Sequence, residues 1–142
     1  MDTLSPEKRS RLMGLVRGKD TNPEIVVRRV VYALGFRYRL HGKNLPGRPD
    51  IVFAGRRSVI FVNGCFWHQH NACKRAKRPE TRAEYWSAKL DRNIERDRRN
   101  LLQLKRMGWR VLTIWECQLR NSQGVSRRIV KFLGAGTGSK SA

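Results

Sequence analysis

Between Phe61 and Cys73 the chain gathers two of its three cysteines, two of its three histidines and an adjacent Phe66-Trp67 pair. No helical or strand period holds from Asn63 to Glu80, and an irregular loop of that length in a small protein needs a function or a staple. Cys65-x4-His70-x2-Cys73 supplies three soft or borderline ligands, as a tetrahedral zinc site requires. Cys117, the remaining cysteine, can be the fourth and would tie the loop to a segment about forty residues downstream. Four protein ligands close the coordination sphere, so such a metal is structural. Spacing alone does not choose between His68 and His70. Two apart, they face opposite ways in an extended segment, so one can bind metal while the other takes a proton from water.

Charge points to the partner. With 31 Lys and Arg against 11 Asp and Glu, the net charge is +20, which calls for a polyanion, most simply nucleic acid. No apolar run is long enough to span a membrane, and Met1-Asp2-Thr3-Leu4 does not read as a secretory leader. An odd number of cysteines favours thiols or metal ligands over disulfides, hence a cytoplasmic protein.

The 142 residues are expected to form a single domain over residues 1–133, with a Gly/Ser-rich disordered tail over 134–142. Ser5-Pro6-Glu7 opens a short helix to about Val16, and Asn22-Pro23-Glu24 repeats that start signal for a helix ending at Gly35. Phe36 to Leu40 alternates as a strand, and His41 falls in a turn. Pro49 should hold Arg48 extended. Asp50 to Phe53 and Ser58 to Val62 read as a hairpin with a buried second strand. Thr81-x-x-Glu84 is a capping box for a long helix, apolar along Tyr85, Trp86, Leu90, Ile94, Leu101, Leu102 and Leu104, that stops at Gly108. Trp109 to Trp115 is a strand and Ser122 to Leu133 a last helix. The order implies an α/β fold with a mixed sheet, the hairpin antiparallel and the strand after the long helix joined in parallel.

Among few acids, Asp50 opens a strand, and Val62 ends the next. A carboxylate with a nearby backbone carbonyl suits magnesium, which keeps most of its waters. Glu24 is either a plain first-turn acid or a second carboxylate acting through water. Phe66, Trp67 and Trp86 are core aromatics or, in a basic protein, surfaces for stacking on bases. Asp97, within the basic run Glu95 to Arg99, is placed to orient a basic or imidazole side chain.

These residues resemble the very-short-patch repair endonucleases of bacteria over about Ser10 to Arg120. The segments that carry the likeness are Asp20-Thr21 with Glu24, Leu45-Pro-Gly-Arg-Pro-Asp50, Gly64-Cys-Phe-Trp-His68-x-His70, Thr81-Arg82 with Glu84 and Trp86, Asn93-x-Glu95-Arg-Asp-Arg-Arg99, Gly108-Trp-Arg-Val-Leu112 and Trp115-Glu-Cys117. The resemblance implies a restriction-endonuclease-like fold and nicking of duplex DNA 5′ to the thymine of a T:G mispair, the product of 5-methylcytosine deamination. It implies Asp50 and the Val62 carbonyl as magnesium ligands, His68 as general base, and Glu24 and Asp97 in the same network. Cys65, His70, Cys73 and Cys117 would hold zinc. Phe66, Trp67 and Trp86 would insert beside the mispair, Asn63 would face DNA, and the N-terminal segment of about residues 1–20, around Met13, would reach the minor groove. A nucleoid-associated monomer, with mismatch-repair proteins as possible partners, completes that picture.

Two departures stand out. Val62 and Asn63 replace the threonine and histidine of the best-known motif, and one residue is inserted between His70 and Cys73. Other readings are a restriction-like nuclease on other DNA targets, or a non-catalytic zinc-stabilised nucleic-acid-binding protein.

Overall fold

The computed structural model describes residues 21–134. The expected Ser5–Val16 helix, Met13 and nearly all of the expected tail lie outside them. The elements are α1 (Asn22–Ala33), β1 (Arg39–Leu40), β2 (Ile51–Phe53), β3 (Ser58–Asn63), α2 (Ala83–Arg106), β4 (Arg110–Trp115) and α3 (Ser122–Leu133). The sheet runs β1-β2-β3-β4, antiparallel across the first two pairings and parallel between β3 and β4.

Strand alternation sorts the apolar residues onto two faces. Ile51, Phe53, Ile60 and Ile114 meet Val27 and Val31 of α1 and Val125, Ile129 and Leu133 of α3. Val52 and Val59 point the other way, onto Leu104 of α2. Helices therefore cover both faces, which explains why β2 and the start of β3 are buried without interruption. Each fully buried Ile or Leu contributes about 1.5–3 kcal/mol of transfer free energy. Among the described residues no helix is long and apolar enough to cross a membrane.

Local signals misplaced some boundaries. Thr21 rather than Asn22 caps α1: its Oγ1 accepts from the Glu24 N–H while Glu24 reaches back to the Thr21 N–H. The Thr81 capping box does not form, and α2 starts from Arg82, whose left-handed backbone (φ 55°) precedes Ala83 with no side-chain cap. The strand from Phe36 shrinks to Arg39–Leu40, because only those residues find partners on β2. Arg48 is not extended but left-handed, φ 48°. Its N–H closes a turn on the Leu45 carbonyl, while the Pro49 carbonyl accepts from Gly42, and that tight return overrides the preference of a pre-proline residue. Gly47 (φ 76°) is required there, since a Cβ would lie 3.1 Å from both Asn100 and Phe61. On α2 only Leu90 and Leu104 are fully buried. Tyr85, Ile94 and Leu102 remain exposed, although their spacing reads as core.

Candidate functional site

The C-terminal ends of the parallel pair β3 and β4 lie beside the start of β2, and the chemistry-bearing residues collect there. Asp50 sits just before β2. The β2–β3 register, continued, would set Val62 opposite Pro49, whose carbonyl already accepts from the Gly42 N–H on the β1 side. The Val62 N–H turns instead to Asp50 Oδ2 at 2.7 Å. Glu24, only 4 % exposed at the start of α1, hydrogen-bonds the Asp50 side chain. Burial pushes the Asp50 carboxyl up to about 7; the Val62 N–H works against this, the charge of Glu24 adds to it, and His68 opposes it. Two carboxylates held together out of water suit a cation.

His68 stands on the loop after β3, and its Nδ1 lies 2.6 Å from Asp97 Oδ2 of α2. With the proton on Nδ1 donated to Asp97, Nε2 keeps a lone pair. Both side chains line a cleft of about 720 Å³, together with Arg48, Asn63, Asn100 and Trp115.

Cys65, His70, Cys73 and Cys117 form a second centre, with their ligand atoms all within 4.8 Å of one another. Folding selects His70, not His68, for this cluster. His70 Nδ1 is 3.7 Å from Cys65 Sγ and 3.4 Å from Cys117 Sγ. Ligands on a tetrahedral ion at ordinary Zn–S and Zn–N lengths are separated by about 3.6 Å, so the donor set fits such an ion. Burial pushes the Cys65 thiol up to about 12, so without a metal it is protonated.

The connecting loop is ordered by bonds the sequence did not advertise. The Gln69 side chain donates to the carbonyls of Phe66 (2.7 Å) and Ala76 (3.1 Å) and accepts from Arg78. Glu116 accepts from the Cys65 N–H at 3.4 Å, and Trp115 stacks on the His70 ring at 4.3 Å. Phe66, Trp67 and Trp86 form one aromatic group with centroids 5.0–5.9 Å apart. Asn93 Nδ2 holds the Trp67 carbonyl at 3.1 Å, and Lys89 lies over the Trp67 ring. Trp115 and Glu116, just before Cys117, carried a faint signal. Asn93 opens one of the segments that carry the family likeness, but nothing in the charged middle of α2 pointed to its bond with Trp67.

The sequence profile described as DNA mismatch endonuclease Vsr matches residues 1–75. "DNA mismatch endonuclease Vsr" of Escherichia coli is 44% identical over 122 residues, covering 86% of this chain and 78% of that protein. The chain belongs to the Vsr family of DNA mismatch endonucleases. Two other relatives are described as type II nicking enzymes. V.XorIIP of Xanthomonas oryzae is 47% identical over 132 residues, 93% of this chain and 96% of that protein. V.NmeAIP of Neisseria meningitidis is 38% identical over 132 residues, with 93% and 94% covered. Membership of the Vsr family makes the chain a DNA-cleaving hydrolase, with DNA as its substrate and the basic charge as its means of holding a polyanion.

Proposed function

We propose that this protein nicks duplex DNA 5′ to the thymine of a T:G mispair, using magnesium at Asp50 and a structural zinc ion at Cys65, His70, Cys73 and Cys117. The observation that carries this reading is the His68–Asp97 hydrogen bond, beside two clustered carboxylates and at the end of the strand that leads into the Cys/His cluster. Helices on both faces of the mixed sheet support a restriction-endonuclease-like core, and a mispair lacks two-fold symmetry and suits a monomer.

In this mechanism Asp50 and the Val62 carbonyl would hold a magnesium ion, whose chemistry there would be to neutralise charge building on the phosphate. Asp97 fixes the ring orientation and tautomer of His68. Nε2 of His68 then takes the proton of the attacking water as general base. Glu24 braces Asp50 and orders water beside it. The aromatic group of Phe66, Trp67 and Trp86 stacks into the destabilised mispair, with Asn63 on the DNA-facing rim of the cleft.

The deciding experiment compares nicking of a labelled duplex carrying one T:G mispair with a matched T:A control, with magnesium and with chelator. Nicking confined to the mispair and to magnesium supports the reading. Equal cutting of both duplexes would favour a nuclease on other targets. Binding without any cutting would favour a non-catalytic module, which leaves the buried Glu24 beside Asp50 without a use.

Two further results are expected. Asp97→Asn should lower the nicking rate by about a hundredfold, the scale of a mis-set general base, with DNA affinity unchanged. A parallel loss of affinity would make Asp97 a structural residue. Trp67→Ala should weaken binding to the mispaired duplex by about tenfold, as loss of one stacking contact does, and bind the matched duplex as before. Equal losses in a gel-shift titration would mean that Trp67 is packing only.

A further inference from the structure

The remaining histidine, His41, has no part in the mechanism so far. It leaves β1 in the left-handed region, φ 52°, where non-glycine residues are uncommon and histidine is better tolerated than most. Its backbone N–H donates to the Asp50 carbonyl at 3.0 Å, and the next N–H, of Gly42, donates to the Pro49 carbonyl at 2.9 Å. Its side chain reaches the other acid. Nε2 lies 3.5 Å from Glu24 Oε1 and 3.3 Å from Arg28 Nη2. One residue thus touches Asp50 through its main chain and Glu24 through its ring.

The Glu24 carboxylate is held on both oxygens. Oε2 accepts from the Thr21 hydroxyl at 3.0 Å and from its N–H at 3.3 Å. Oε1 faces Arg28 Nη2 at 3.4 Å as well as the His41 ring. Nε2 either donates to Oε1 or accepts from Arg28, and both tautomers brace the same side of the carboxylate. When both acids are charged the two carboxylates repel, and the contacts on Oε1 oppose that repulsion.

We propose that His41 is a positioning residue that sets the Glu24 carboxylate against Asp50, its backbone bond to Asp50 and its ring contact to Glu24 fixing the two acids relative to each other. The inference rests on the reading in which Glu24 assists at Asp50.

His41→Gly and His41→Gln test it, each alone and in a Glu24→Gln background. Glycine accepts φ 52° without strain and keeps the backbone N–H while removing the ring, so a fold defect is not built in. Glutamine returns an amide near the position of the ring nitrogen. On the T:G duplex, His41→Gly should lower kcat by about tenfold to a hundredfold, the usual scale for a group that orients a site residue, with KM unchanged. His41→Gln should recover most of that loss, and in the Glu24→Gln background the glycine change should have no further effect. Wild-type kcat in His41→Gly, or the same loss with Glu24 already changed, would overturn the proposal. If the wild-type protein nicks no duplex, the functional reading fails and His41 is judged by urea unfolding of wild type, His41→Gly, Glu24→Gln and the double variant. Coupling between His41→Gly and Glu24→Gln supports the brace, and additive effects overturn it.

Discussion

Asp50→Asn is expected to lower T:G nicking by about a thousandfold or more, and to make the magnesium-free protein more stable. The first effect follows from removing the carboxylate proposed to hold magnesium, whose contribution to charge stabilisation is several kcal/mol, with ~1.4 kcal/mol for each factor of ten. The second follows from burial. In the folded protein the Asp50 carboxyl titrates near 7 rather than at the ordinary 3.8, because burial and Glu24 disfavour its charge. The folded state therefore binds the proton more tightly than the unfolded chain, and stability falls as pH rises from about 4 to about 7. At pH 8 the full penalty is present, up to roughly 4 kcal/mol. Asparagine is neutral at every pH, so the variant should unfold at higher urea concentration at pH 8 and lose the part of the wild-type pH slope that Asp50 causes. Unfolding curves across pH 4–8 without magnesium check both. If Asp50→Asn is less stable than wild type at pH 8, the bond from Val62 outweighs desolvation, and the carboxylate is a structural acceptor rather than a site held at a cost.

Cys117→Ser should be the most damaging change to the fold. A zinc ion shared by Cys65, His70, Cys73 and Cys117 would close a loop of about fifty residues between the end of β3 and the end of β4. A cross-link over a loop of that length restricts the unfolded chain by about 4 kcal/mol, a large part of the 5–15 kcal/mol that stabilises a typical domain. Bound zinc should fall from one per chain to near zero, and the unfolding free energy should fall with it. Chelation of the wild-type protein should give the same loss, and chelating the variant should add nothing. A variant that keeps both zinc and stability would remove Cys117 from the ligand set. Because the buried Cys65 thiol is protonated without a metal, loading zinc must release its proton, so zinc affinity should weaken as pH is lowered.

Much of the architecture was legible in local pattern. The apolar run of β3, the strand-forming run of β4 and the proline-and-acid first turn of α1 are short-range signals, and each element formed within a residue of where its signal lay. The parallel pairing of β4 with β3 follows from a long helix between two strands. The errors fell where long-range contact outweighs propensity. Phe36 to Tyr38 found no strand partner. Arg48 was bent left-handed by the turn around it, and Tyr85 and Leu102 kept a helical apolar spacing with no layer to cover them.

The site divides in the same way. The residue types and their order along the chain were enough to single out Asp50, the Cys/His loop and Cys117, because thiols, imidazoles and an acid at a strand start are rare in so basic a sequence. Asp97 stood out as an acid in a basic helix. Which histidine joins the thiols and that Asp97 meets His68 could not be read from spacing and were only implied by the family resemblance; that Asn93 holds Trp67 and that His41 touches both Glu24 and Asp50 were decided by tertiary structure alone. Beyond neighbours on the Cys/His loop itself, those partners are 9 to 47 residues apart, where chain geometry imposes no distance. The packing of α1 and α2 on opposite faces of one sheet brings them within hydrogen-bond reach.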